Sequence, residues 1–189
     1  QRVYDTVIQG VSGLATAQGE SGKPALVKSI VSDKVAGLTA AQAISSALFA
    51  RERGTIGGHH VEISMLDASL AFLWPDSFWN HGFVGKEGVT EKPLISDFYR
   101  LLETSDGYTT LLVVGDGEFD GVCEALEIPD VRADPRFQSL SDRFIHYNEL
   151  FAEFERAAKH FTTAEIVKRM DHYEVPCAKV NTLDEVFND

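Results

Sequence analysis

The sequence predicts an α/β segment followed by a small α+β domain, and three patterns carry that prediction. From residue 33 to residue 72 a helix, a turn, an alternating stretch and a second helix follow one another, the order expected at the edge of an α/β layer whose remaining strands lie elsewhere. Further on, the runs Phe98 to Glu103 and Tyr108 to Val114 are joined by Ser105-Asp106-Gly107, a hairpin signal. After the hairpin the apolar period is that of helices.

Taken in order, Val3 to Val11 has the spacing of a short helix, and Ser12 to Lys23 is too rich in Gly and Ser to continue it. The next helix follows Asp33 for about five turns, with Val35, Leu38, Ile44, Leu48 and Phe49 among small residues that permit close packing. Gly54 to Gly58 ends it, His60 to Leu66 alternates as a strand, and Asp67 opens a helix through Phe72. Pro75, Pro93 and the glycines at 82, 85 and 88 then break every period, so residues 75–96 read as a linker between a first domain, 1–74, and a second, 97–189. In the second, Glu118 to Glu127 is helical, Asp130 to Ser139 is a loop, and Asp142 to His160 is a long amphipathic helix. Thr162 with Glu165 forms a capping box for a helix that must end before Pro176, and Thr182 with Glu185 repeats the device.

Composition narrows the function classes. At 44% hydrophobic and 24% charged residues the 189-residue chain has enough apolar material for one large or two small cores. A net charge of -12 with no local Lys/Arg cluster argues against nucleic-acid binding, which draws most of its affinity from phosphate neutralisation. Cys123 and Cys177 lie far apart without metal-ligand spacing and read as free thiols of a reducing compartment. No apolar run approaches a bilayer span, so the chain reads as cytoplasmic with no membrane partner.

Several motifs have ordinary explanations. Gly115-Asp116-Gly117-Glu118-Phe119-Asp120-Gly121 follows a strand and opens a helix, but its acidic residues would repel a pyrophosphate, leaving a strand-to-helix turn. His59 and His60 are adjacent and would point to opposite faces of a strand, and the other histidines show no paired spacing, so no metal site is expected. Ser12 lacks the Gly-x-Ser-x-Gly frame of a hydrolase elbow. The aromatics Phe72, Trp74, Phe78, Trp79 and Phe83 read as packing residues, with an acyl pocket as the alternative. Asp33, in Val31-Ser32-Asp33-Lys34-Val35-Ala36-Gly37-Leu38, is the candidate that carries chemistry. A carboxylate at a helix start faces free N–H groups and the positive end of the helix, and it is able to attack a carbonyl; as an N-cap it would do no more than start the helix.

The company of Asp33 separates the two readings. Tyr4-Asp5-Thr6-Val7-Ile8-Gln9-Gly10-Val11-Ser12-Gly13-Leu14, Gly22-Lys23-Pro24 through Asp33, Arg51 to Gly58 leading into Val61 to Ala68, Asp134-Pro135-Arg136-Phe137, and Val175-Pro176-Cys177-Ala178-Lys179-Val180-Asn181-Thr182 occur in that order. With these segments the chain resembles the class III CoA-transferase family, which includes formyl-CoA and carnitine-CoA transferases and the α-methylacyl-CoA racemases. The resemblance spans the chain. It implies that Gln1 and Asp189 mark cuts within a protein roughly twice this length, the first domain being an incomplete part of a Rossmann-like large domain.

The resemblance also implies a reaction. CoA would pass from an acyl-CoA thioester to a carboxylic acid through an anhydride and a thioester on Asp33, with no permanently bound cofactor and with the CoA thioester as substrate. Tyr4 and Arg2 would lie on the CoA side. The racemase branch has histidine where this chain has Tyr4, and a phenol, which ordinarily titrates near pH ~10, is poorly suited to removing an α-proton at neutral pH. Transfer is therefore favoured over racemisation or other CoA-ester chemistry, and a non-catalytic interaction module is the remaining alternative. The resemblance further implies a homodimer for the full-length protein. An acidic segment is not expected to hold the CoA phosphates by itself, so these residues alone should lack turnover.

Overall fold

Asp5, Ile8, Gln9 and Ser12 recur at helical spacing, and they form the buried side of α1 (Asp5–Val11) and its C-terminal turn. The computed structural model describes residues 3–19, 22–54, 57–82, 84–85, 90 and 93–188, in two units, Gln1–Ser96 and Asp97–Asp189.

The first unit is helical. After α1, Gly13 takes φ 86°, a left-handed conformation that glycine adopts at little cost, and turns the chain into α2 (Leu14–Ala17), a single turn inside the stretch expected to be loop. The long helix α3 (Val31–Glu52) starts two residues before Asp33, not after it. It packs against α1 and α4 (Met65–Ser77), burying its small side partly through Ala36, Ala40, Ala43 and Ala47. Its other side leaves Leu38 74% and Phe49 65% exposed. Apolar side chains thus stand on the exposed side of this helix as well as on the packed one. Among the described residues of this unit only Ile8, Ala15, Ala68 and Leu73 are buried hydrophobics, beside the buried polar Asp5, Gln9, Ser12, Ser32 and Ser69. That is a small core for so many apolar side chains.

The expected strand His60–Leu66 is not formed. Residues 57–64 are irregular, and Met65 and Leu66 already belong to α4, whose N-cap is Ser64, its hydroxyl accepting the Asp67 N–H. Alternation sets which way side chains point, but a strand also needs a neighbour for its N–H and C=O groups, and the unit has no strand element among its described residues. At its far end α4 continues through Pro75 to Ser77, beyond the expected end at Phe72 and into the first residues of the expected linker, with Trp74 stacked on Phe78 at 5.0 Å. Proline in a last turn forgoes only one helical hydrogen bond.

The second unit is built on an antiparallel sheet in the order β1 (Leu101–Glu103), β2 (Tyr108–Leu111), β3 (Cys177–Lys179), with Leu102 opposite Thr109 and Leu111 opposite Cys177. The hairpin turn is where the sequence predicts it, but its strands are shorter: Phe98 ends a 3-10 turn, Ile95–Phe98, and the second strand stops at Leu111 instead of Val114; β3 brings the far end of the chain alongside β2 and has no counterpart in the sequence prediction. The helices are α5 (Asp116–Ala125), α6 (Pro129–Ala133), α7 (Leu140–Ile145), α8 (Tyr147–Ala158), α9 (Thr163–His172) and α10 (Leu183–Asn188). α6 occupies part of the expected loop 130–139. The single helix expected from Asp142 to His160 is two, broken at His146. The break lets Phe144 and Tyr147 close on the Phe98 ring, with centroids at 4.9 and 4.7 Å, while the Tyr147 hydroxyl donates to the Phe98 carbonyl at 3.0 Å. Under the sheet, Leu102, Phe119, Val122, Phe137, Phe151, Phe154, Ile166 and Met170 form one continuous buried core.

Both predicted capping boxes form: Thr162 and Glu165 exchange bonds at the start of α9, and Thr182 and Glu185 do so at α10. α5 and α9 meet at Gly121, where a Cβ would lie 2.6 Å from Val175 Cγ2 and 3.0 Å from the Tyr173 carbonyl oxygen. Gly121→Ala is therefore expected to destabilise this unit by about 1–3 kcal/mol. Gly117→Ala, in the same helix with nothing within 4 Å of the new methyl, should instead stabilise it by up to ~1 kcal/mol. Urea unfolding of the two variants reads both signs, and equal shifts would refute the steric argument.

Candidate active site

The start of α3 is assembled from two separate pieces of chain. Ile30 occupies the N-cap position without a side-chain cap, and the Lys34 N–H to Ile30 carbonyl bond at 3.1 Å opens the helical ladder. Of the first-turn N–H groups, that of Ser32 donates to Asp5 Oδ1 at 2.7 Å. Those of Val31 and Asp33 have no partner among the described residues. Asp33 is the third residue of the helix and exposed, and its carboxylate has no hydrogen bond or ion pair among the described residues. It is thus not the cap. The carboxylate that satisfies this helix end is Asp5, supplied by α1.

Asp5 is held in turn by Gln9, one helical turn further along α1. The Gln9 Nε2 group donates to Asp5 Oδ2 at 2.6 Å and to the carbonyls of Val27 and Ser29 at 3.1 and 3.2 Å, and its Oε1 accepts the Val27 N–H at 2.8 Å. Neither residue stands out by type alone. The legible signal is their spacing: three polar residues, Asp5, Gln9 and Ser12, share the buried side of a short helix with Ile8, a placement that polar groups keep only when hydrogen-bonded.

Tyr4, the N-cap residue of α1, is 77% exposed. It is joined to Asp5 as Asp33 is to Ser32, so one 2.7 Å hydrogen bond brings the Tyr4 and Asp33 backbones to the same end of α3. Arg2 lies outside the described residues, as do Phe83 and Gly88 of the sequence motifs. His59 and His60 sit on irregular chain, not on a strand, and His60 lies beside the exposed Glu62. Among the described residues no group of three or more His, Cys, Asp or Glu could hold a metal ion, and no helix is long and apolar enough to cross a membrane.

In the second unit the acidic groups near the glycine-rich turn are occupied. Glu118 accepts the N–H groups of Gly115 and Val114 at 2.9 and 2.7 Å, which holds its carboxyl below the usual range, the Gly115 bond most strongly, and uses the donors a phosphate would need. Asp106 takes the Thr163 N–H and hydroxyl, the first-named bond most strongly lowering its pKa, and so ties the hairpin to α9. A cleft of about 890 Å³ opens beside it, lined by Lys168, Asp171, Cys177 and Lys179 among others. Both cysteines are free. Burial pushes the Cys123 thiol up to about 12 and raises that of Cys177, which disfavours the thiolate a cysteine nucleophile requires.

With the fold and this helix start described, the comparison with known proteins is direct. Residues 1–189 match CoA-transferase family III throughout, and the chain belongs to that family. It is 27% identical over 98% of its length to the succinate–glutarate CoA-transferase of Agrobacterium fabrum, covering 47% of that protein. To the acetyl-CoA:oxalate CoA-transferase of Acetobacter aceti it is 30% identical, over 98% of this chain and 48% of the relative. All of the chain superposes on half of a Mycobacterium tuberculosis protein with a TM-score of 0.82 at 23% identity, a likeness of fold. A CaiB/BaiF family protein of Brucella suis matches with a TM-score of 0.75 at 27% identity, again over all of this chain and 50% of the other. The chain spans about half the length of the curated relatives it matches.

Proposed function

We propose that a family-length protein carrying these residues transfers coenzyme A from an acyl-CoA thioester to a carboxylic acid, with Asp33 as the nucleophile. One observation carries this reading: the Asp33 carboxylate is exposed and, among the described residues, unpartnered in the first turn of a 22-residue helix whose capping is done by another carboxylate. Freed from a structural task, it is exposed on the same first turn as the Val31 and Asp33 N–H groups, which have no partner among the described residues and are donors of the type that stabilises a developing oxyanion.

In this mechanism an Asp33 oxygen attacks the thioester carbonyl, the C–S bond breaks, and CoA leaves as thiolate from a mixed anhydride. The thiolate attacks the aspartyl carbonyl of that anhydride, releasing the first carboxylate and forming an aspartyl-CoA thioester. The acceptor carboxylate attacks that thioester and expels the thiolate again. The thiolate then takes the acceptor acyl group from the second anhydride, and Asp33 is regenerated. A carboxylate is a weak nucleophile, so positioning and oxyanion stabilisation must supply most of the acceleration. No permanently bound cofactor takes part; the CoA thioester is itself a substrate. We assign Tyr4 and Arg2 to the CoA side of the site, and the exposed position of Tyr4 is compatible with that role. Tyrosine in place of histidine favours transfer over racemisation.

The first unit, with its small core and apolar outer helix face, is read as part of a larger Rossmann-like domain, joined by a linker over 75–96 to the α+β domain at 97–189. A homodimer in the cytoplasm is the proposed working form. The net charge of -12 leaves most phosphate contacts to the rest of a family-length protein. The 189 residues alone are accordingly expected to show no turnover.

The test is chemical. The family-length protein is incubated with acyl-CoA and hydroxylamine, then digested and mapped by mass spectrometry. An aspartyl hydroxamate at Asp33 is expected. Labelling at another carboxylate, or none, overturns the assignment, and α-proton exchange in deuterated buffer without CoA transfer would establish a racemase instead.

A further inference from the structure

We infer that Asp5 and Gln9 are positioning residues for the reaction at Asp33, an inference that rests on the proposed role of Asp33 and deepens it. The geometry is a buried clamp. Asp5 is 7% exposed and Gln9 fully buried, and among the described residues the side-chain bonds of the pair run within α1 or to residues 27–32, the segment that leads into α3. Their side chains therefore set where that segment ends and where the first turn of α3 begins.

The chemistry of the clamp demands a carboxylate at position 5. The Gln9 amide cannot turn over, because its oxygen is committed to the Val27 N–H while its nitrogen faces the carbonyls of Val27 and Ser29. It must therefore present N–H to Asp5. The Ser32 backbone also presents N–H to Asp5. Two donors approach from different elements, and only a side chain with two acceptor oxygens meets both. An asparagine would set its own NH₂ against one of them, releasing either Gln9 or the helix start. Asp5 also takes up the Ser32 N–H, so among the described residues the unpaired amides left in this first turn are those of Val31 and Asp33.

A shift of about 1 Å in a reacting group lowers rate by up to ~10²-fold. In the family-length protein Asp5→Asn is therefore expected to lower kcat about 10- to 100-fold with KM for acyl-CoA little changed, and to slow hydroxylamine-trapped labelling of Asp33 by the same factor. Gln9→Met, which keeps the volume and removes the bonds, should act in the same direction and serves if Asp5→Asn does not accumulate folded. Ile8→Ala, on the buried side of the same helix but outside the clamp, should keep wild-type kcat at temperatures where circular dichroism shows it folded. Wild-type labelling of Asp33 together with undiminished labelling in the clamp variants would overturn the positioning role and leave the nucleophile assignment standing. An equal loss of kcat in Ile8→Ala would reduce the clamp to general support of the helix. Absence of label at Asp33 in the wild type would overturn both.

Discussion

Asp33→Asn in a family-length protein is expected to lower kcat for CoA transfer by at least ~10³-fold, because the amide cannot form the anhydride through which the proposed reaction passes. The same change should cost little stability. Asp33 is exposed and makes no hydrogen bond or ion pair among the described residues, so what the fold loses is the interaction of one charge with a helix end, about 0.3–1 kcal/mol. Thermal unfolding of Asp33→Asn near the wild-type midpoint, with acyl-CoA hydrolysis and transfer both at background, is the expected pair of results. Wild-type turnover would refute the nucleophile. A large drop in midpoint would instead mean that the carboxylate carries structural load, contrary to the division of labour between Asp33 and Asp5. That division separates the two aspartates experimentally: Asp33→Asn removes the reacting atom, whereas Asp5→Asn leaves it in place and misplaces it.

The largest stability effect is expected in the second unit, from Phe151→Ala. Phe151 is 2% exposed and packs against Tyr147, with ring centroids 5.8 Å apart, while the Arg100 guanidinium lies 4.1 Å above its ring. Truncation removes the ring from water-free contact, opens a cavity and leaves that guanidinium without its face, at a cost of about 3–5 kcal/mol. Phe187→Ala provides the contrast: its ring is 89% exposed on α10, and its loss should change stability by less than ~0.5 kcal/mol. Urea unfolding followed by far-ultraviolet circular dichroism measures both. Comparable midpoint shifts would contradict the placement of the core.

The parts of the structure written locally were legible. The capping boxes at Thr162 and Thr182 need only residues three apart, and the hairpin at Ser105-Asp106-Gly107 needs only its turn, so neither depends on distant chain. Patterns that need a partner failed. His60 to Leu66 alternates as a strand does, yet no strand stands beside it among the described residues. β3 is too short to announce itself and exists because β2 offers an edge. The break at His146 likewise follows from Phe98, almost fifty residues earlier in the chain, whose ring is clasped from both sides of it.

The same distinction holds at the site. By itself the sequence determined the family and a long helix near Asp33, since each is a matter of residue order over a short span, and it made Asp33 the carboxylate proposed for chemistry. Only the tertiary structure decided which carboxylate caps that helix. The choice rests on a hydrogen bond between residues 5 and 32, oriented by an amide at residue 9 that is fixed in turn by residues 27 and 29. Folding brings these groups together because buried donors and acceptors must find partners wherever the chain supplies them, and no local pattern records where that will be.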